Sequence, residues 1–250
     1  MSEIPFRRMI LRFPQSVPSA AALRIVAGLA NDLRLELLGQ FVPDRNLMYL
    51  RQHPLAREYR LHERKWSYIE QVDYSDQLHE TIRIAERSFT ELLHSVEISG
   101  RFEVAAGLPA GVEEDIHADD IVVVCEPENP MDQLGLPFLS AVEAALGAPG
   151  AVMIVPRRAG RGRGCVAALA AGSSDPVIAA AKEIAAAARE RCLTVALREG
   201  GDVRSVTAEL AQTAPRLVLV SRGALDGHEA RVLWELASAC QAPVLAIRSA

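Results

Sequence analysis

Two short stretches hold the residues best suited to bind a small anion. Gly172-Ser173-Ser174-Asp175-Pro176 lies between an apolar run and an Ala-rich segment of helical length, and Ser221-Arg222-Gly223 follows a second apolar run. Glycine lets backbone N–H groups approach an oxyanion, and a helix start adds partial positive charge. The hydroxyls of Ser173, Ser174 and Ser221 and the Arg222 guanidinium would complete the set. The plain alternative is that Ser174 or Asp175 caps a helix whose first residue is Pro176. Arg157, Arg158, Arg161 and Arg163 could clamp a phosphate or nucleic acid. With interspersed glycines and no apolar anchor, they read equally as a flexible, solvated connector. Asp115, His117, Asp119 and Asp120 form the one cluster with hard-metal character, yet they precede a strand and read as a solvated turn. No Ser/His/Asp set, Walker loop or paired-carboxylate motif stands at recognisable spacing, so no catalytic residue, metal ligand or enzymatic activity is expected.

The elements that position these residues follow from periodicity. In the last third, Cys165–Ala171, Leu193–Leu197, Leu217–Val220 and Val244–Ile247 are apolar runs of strand length. They alternate with amphipathic stretches at Asp175–Arg189, Val203–Thr213 and Glu229–Cys240, the signature of a parallel sheet covered by helices. The same order is predicted earlier. Strands are expected at Arg8–Phe13, Leu35–Val42, Phe102–Ala105, Ile121–Cys125 and Ala151–Val155. Helices are expected at Ala20–Leu33, capped by Ser16 or Ser19, at Ser75–Glu97, stopping at Gly100, and at Leu139–Leu146. The closing segments LGAPGAVMIVPR and CQAPVLAIR match by eye. Two copies of one unit are the economical description, with residues 1–156 as the longer copy, 157–164 as linker and 165–250 as the compact copy.

Composition narrows the partners. A formal net charge of −5 gives no overall field for nucleic acid or an anionic membrane. The N-terminal apolar stretch is too short for a signal peptide and no run reaches membrane-spanning length, so a cytoplasmic protein is expected. Cys125, Cys165, Cys192 and Cys240 sit in or beside apolar runs without CxxC spacing and read as buried, reduced thiols. The histidines are dispersed, with no HxxxH or HExxH pair.

The second half resembles the universal stress protein family, an α/β fold of the adenine nucleotide alpha hydrolase-like type that commonly dimerises. The resemblance rests on LVLVSRGALDG, on ASACQAPVLAIR and on AAGSSDPVIAAAKEIAAAA; over residues 8–155 it rests more on the order of elements. It implies an α/β fold of two universal-stress-like domains, each a five-stranded mainly parallel sheet flanked by helices, packed as a pseudo-dimer. The fifth strands, Ala151–Val155 and Val244–Ile247, are expected side by side and antiparallel, satisfying two sheet edges within one chain. A single continuous sheet threading both halves would count against two modules.

The family's ATP-binding members use a G-x-x-G-x9-G-[ST] loop after the fourth strand. Here Val220 stands at the first glycine, Gly223 matches the second, and only six residues separate Gly223 from Ala230-Arg231. Ala171 replaces the acidic residue at the end of the first strand, although Gly172 and Ser173 agree with the next two positions of the family pattern. In the first half, Cys125-Glu126-Pro127-Glu128-Asn129-Pro130 sets two carboxylates where phosphate would need N–H donors.

Two readings of function stay open. One is a non-catalytic stress or regulatory protein acting through protein contacts, with the family ATP site lost or degraded and no cofactor. The other is a binder of a nucleotide such as ATP or AMP, or of another small anion, through Gly172, Ser173, Ser174, Ser221, Arg222 and Gly223. Neither calls for nucleic acid or membrane, and pairing of two chains as a homodimer is left open. The insertion at about 44–100 holds Tyr49, Tyr59, Tyr68, Tyr74 and Trp66, which suit either a contact surface or the packing of the long helix. Its Arg45–Lys65 portion reads as an ordered loop or short helices.

Overall fold

The computed structural model describes residues 6–13, 18–43, 55, 57–60, 62–68, 71–105, 116–128, 137–160, 163–197, 203–223 and 229–248. In chain order the first half holds β1 (Arg8–Phe13), α1 (Ala20–Leu33), β2 (Glu36–Phe41), β3 (Arg57–Arg60), β4 (Lys65–Tyr68), α2 (Gln71–Val96), β5 (Gly100–Val104), β6 (Asp120–Cys125), α3 (Pro137–Gly147) and β7 (Ala151–Val155). The second half holds β8 (Val166–Ala170), α4 (Pro176–Ala188), β9 (Cys192–Ala196), α5 (Val203–Thr213), β10 (Leu217–Ser221), α6 (Glu229–Cys240) and β11 (Val244–Ile247).

Nine strands form one sheet in the order β5-β2-β1-β6-β7-β11-β10-β8-β9. Every pairing is parallel except β7 with β11, where Val244, Leu245 and Ala246 lie opposite Ile154, Met153 and Val152. The two predicted fifth strands therefore meet as expected. That pairing joins the two halves edge to edge into one sheet, with every first-half strand on one side of the seam and every second-half strand on the other, so the sheet does not thread back and forth between the halves. Antiparallel hydrogen bonding at the seam leaves no break, and the halves show the same strand order counted outwards from it.

One correction concerns strand number. The first half contributes five strands and the second four: beyond β8 and β9 no third strand follows among the described residues. Residues 197–202 alone separate β9 from α5, whereas a parallel crossover takes about a dozen residues or more.

The strands are apolar on both faces, and each face has its own core. One core gathers Met9, Leu11 and Phe13 with side chains of α1, α2 and α4. The other gathers Ile10, Val122 and Val220 with side chains of α3, α5 and α6. Both cores run through both halves.

Local signals explain most helix ends. Ser19 accepts the Ala22 N–H at 3.1 Å, and Arg34 and Arg189 close α1 and α4 in the left-handed conformation. The long helix α2 ends before Gly100, because Glu97 itself takes the left-handed conformation (φ 56°), and Gly100 opens β5.

The Arg45–Lys65 expectation is also corrected. Within it begins an antiparallel hairpin, β3 with β4, that pairs Tyr59 with Trp66 and Arg57 with Tyr68. These four share one face: the Tyr59 and Trp66 rings lie 5.4 Å apart, and Arg57 lies over the Tyr68 ring while bonding its hydroxyl. Tyr59, Trp66 and Tyr68 are 45%, 65% and 55% exposed, so they do not pack the long helix onto the sheet. Tyr49 lies outside the described residues.

The connector has an apolar anchor after all. Ala159 is buried in the core, and Arg157 donates its backbone N–H to Glu126 and its guanidinium to the Glu128 carbonyl. Arg158 and Arg163 are exposed; Arg161 lies outside the described residues.

Among the described residues no helix is long and apolar enough to cross a membrane. The thiols divide in two. Burial pushes Cys125 up to about 12 and Cys240 up to about 11, whereas Cys165 is half-buried and Cys192, on the edge strand β9, is exposed, against the expectation of four buried thiols.

Candidate functional site

The carboxyl ends of β8 and β10 lie side by side, since the two strands pair in parallel from Leu217 opposite Val166 to Val220 opposite Leu169. This is where open α/β sheets receive ligands. Their junction is held by Asp175. As N-cap of α4 its carboxylate accepts the N–H of Val177 at 3.1 Å and of Ala171 at 3.0 Å, and the Ser221 hydroxyl donates to it at 2.5 Å. Partial burial opposes its ionisation, but the bonds from Ser221, Ala171 and Val177 outweigh that and hold its carboxyl below the ordinary value.

Asp175 thus ties two strand ends together, and Asp175→Ala is expected to cost about 1–2 kcal/mol through loss of the cap. Asp175→Asn keeps an acceptor and recovers part of this. A group with a lowered folded pKa contributes stability that is present above its unfolded value, about 3.9, and is lost as pH falls through the folded one. The stability gap between the native chain and Asp175→Asn should therefore be full at pH 7 and close at acid pH. Urea unfolding at several pH values measures it.

The six candidate ligand residues are only partly brought together. Gly172, Ser173 and Ser174 form an exposed turn beside Asp175, and space around Gly172 is open. Ser221 is buried against Asp175. Gly223 takes a left-handed conformation (φ 78°), as a turn glycine does, but its N–H donates to the Glu229 carboxylate at 3.1 Å. Glu229 is the first residue of α6, so a side-chain carboxylate sits where an incoming anion would seek both the N–H and the helix start.

Arg222 turns away from the Gly172–Ser174 loop. Its guanidinium donates to the carbonyls of Ala148 and Gly150, at 3.1 and 2.9 Å, in the turn that leads into β7. Burial and then the nearby Arg248 lower its pKa. The guanidinium offered to an anion instead crosses the seam and ties the second half to the first. On the first half's side, Glu126 occupies the corresponding step: its N–H bonds Val155 O at 2.8 Å, as the Arg222 N–H bonds Ile247 O at 2.6 Å.

A cleft of about 280 Å³ opens beside these strand ends, between Pro176, Ala180 and Glu183 of α4, Ala151 of β7, and Ile247 and Arg248 at the end of β11. None of the six candidate residues lines it.

The acidic turn before β6 has a structural task. Asp120 is fully buried and pairs bidentately with Arg8, its oxygens 2.8 and 2.9 Å from Nε and Nη2, while also accepting the His117 N–H at 2.8 Å. Asp115 lies outside the described residues, and among those described no group of three His, Cys, Asp or Glu side chains could hold a metal.

Several structurally important residues escaped the sequence reading. Glu229 was legible in principle, as an acidic residue in the first turn of a helix close behind Gly223. The contacts of Arg222, and the ion pair between Arg216 and Asp32 that also links the halves, had no local signal.

No protein-family model matches the chain, and no curated protein matches its sequence. Solved structures match its fold over nearly the whole length. A universal stress protein from Archaeoglobus fulgidus DSM 4304 aligns over 99% of this chain and 98% of its own, with TM-score 0.54 and 10% identity. A protein provisionally assigned as a universal stress protein, from Pseudomonas aeruginosa UCBPP-PA14, covers 99% and 95%, with TM-score 0.56 and 12% identity. A functionally unknown protein from Pseudomonas aeruginosa PAO1 covers 98% and 94%, with TM-score 0.55 and 13% identity. This chain therefore has the α/β fold of the universal stress proteins, a mostly parallel sheet flanked by helices.

Proposed function

We propose that this chain is a tandem universal-stress-type protein, two copies of one module joined as a pseudo-dimer, acting through protein contacts without catalysis or a family-type ATP site. The observation that carries this reading is the internal use of the anion-binding groups: Gly223 N–H is taken by Glu229, and Arg222 by the carbonyls of Ala148 and Gly150. An incoming phosphate would have to displace a carboxylate of like charge and break the seam contacts. The exposed aromatic face of the hairpin, with Arg57 beside Tyr59, Trp66 and Tyr68, supports the protein-contact side of the proposal, because Trp, Tyr and Arg are the residues that anchor interfaces.

Thermal unfolding with millimolar ATP, ADP, AMP or a cyclic nucleotide, with and without magnesium, tests it. Ligand at a hundred times its Kd stabilises a folded protein by about 2.7 kcal/mol, a shift of several degrees, so binding would be visible. The expected result is no nucleotide-specific shift. A shift that disappears in Ser221→Ala would instead establish the anion-binding reading at Gly172–Ser174 and Ser221–Gly223.

A further inference from the structure

The sheet ends differently at its two edges. The first half ends on β5, which carries Arg101 and Glu103 and has α2 packed beside it. The second half ends on β9, Cys192-Leu193-Thr194-Val195-Ala196, with no charge and no proline. Soluble proteins usually blunt or cover sheet edges, because a row of unpaired N–H and C=O groups is a template for another strand. Here Leu193 and Val195 face the core while Cys192, Thr194 and Ala196 are exposed. In the first half the place beside the second strand is filled by β5. Beside β9 no strand stands among the described residues.

We propose that β9 pairs antiparallel with β9 of a second copy about a two-fold axis through Thr194, extending the sheet across two chains. In this register Leu193 lies opposite Val195 of the other copy and Cys192 opposite Ala196. The core-facing residues therefore meet each other on one face and the small residues meet on the other. A two-fold makes each half of the contact repeat the other, so one uncharged strand supplies both sides. The chain already joins its own halves in this manner, at the antiparallel β7–β11 seam. The inference is independent of whether a nucleotide binds.

Sedimentation velocity of the full chain over a range of concentrations tests it. The native chain is expected to form a concentration-dependent dimer. Thr194→Lys, at an exposed position, sets two ammonium groups face to face and should weaken that dimer about tenfold or more while circular dichroism stays native. In a Cys192→Ser background, Thr194→Cys brings two thiols opposite each other at the Cα separation of an antiparallel pair, about 4.5–5.5 Å, within disulfide range. Mild oxidation should then yield a covalent dimer. A native chain that stays monomeric, a dimer that Thr194→Lys leaves unchanged, or a Thr194→Cys variant that does not cross-link overturns the proposal.

Discussion

Asp120→Ala should lower folding stability by about 3–5 kcal/mol, the cost of removing one partner from a buried ion pair. Asp120 is fully buried and Arg8 nearly so. The hydrogen bonds that Arg8 donates to Asp120, against the opposing effect of burial, raise the Arg8 pKa; an arginine side chain is protonated even without such a partner, so the guanidinium stays charged when the carboxylate is gone. The substitution also takes the acceptor from the His117 N–H and so frees the turn that leads into β6. Because β1 and β6 pair from Arg8 opposite Asp120 onwards, the damage falls on the middle of the first half's sheet. Replacing both partners by apolar residues, Arg8→Met with Asp120→Leu, should restore much of the loss, since no buried charge then lacks its counter-ion. Urea midpoints of the two variants against the native chain check this. Equal destabilisation by the single and double changes would mean that the turn, and not the ion pair, carries the effect.

Phe89→Ala is the second large effect, expected at about 3–5 kcal/mol for a buried phenyl ring. Phe89 projects from α2 into a cluster with Phe13 and Phe102, at centroid distances of 6.2 and 5.9 Å, and is fully buried. It fits because β2 has no side chain at Gly39: a Cβ there would stand 2.9 Å from both the Phe89 and Phe102 rings. Gly39→Ala alone should therefore cost about 1–3 kcal/mol by overpacking. Combined with Phe89→Ala, the added methyl enters the vacated space, and the double variant should lose less than the sum of the singles. A double-mutant cycle by denaturant unfolding reads this directly; strict additivity would show that Gly39 and Phe89 do not share the space. The cluster fixes α2, and with it the start of a helix that follows the aromatic hairpin, so the same variants test how firmly the insertion is held.

The candidate site separates what neighbours along the chain decide from what distant residues decide. Gly172 to Pro176 read as either a ligand turn or a helix cap, and the structure places the cap on Asp175 while leaving Ser173 and Ser174 exposed. The bond from Ser221 to the same carboxylate joins residues 46 apart in sequence. It exists because β8 and β10 are neighbours, a fact of strand order to which no local pattern refers. Arg222 shows the same limit more sharply. Its type suited anion binding, but its partners lie more than 70 residues away across the seam.

Read alone, the sequence determined the alternation of strands and helices and most of their ends, because apolar period and capping residues act within a few positions of each other; the antiparallel meeting of β7 with β11 was implied by the family resemblance and not by any local pattern. It misassigned the hairpin, where a density of Arg, His and Glu hid the alternation of Arg57, Tyr59, Trp66 and Tyr68 onto one face. Tertiary structure alone decided that the halves share both cores and that Glu229 covers the Gly223 N–H. It also decided that Arg222 and Arg216 serve the join between the halves and that β9 ends the sheet, with no strand beside it among the described residues. Each of these depends on which groups three-dimensional packing brings within hydrogen-bond or van der Waals reach, a distance that separation along the chain does not encode.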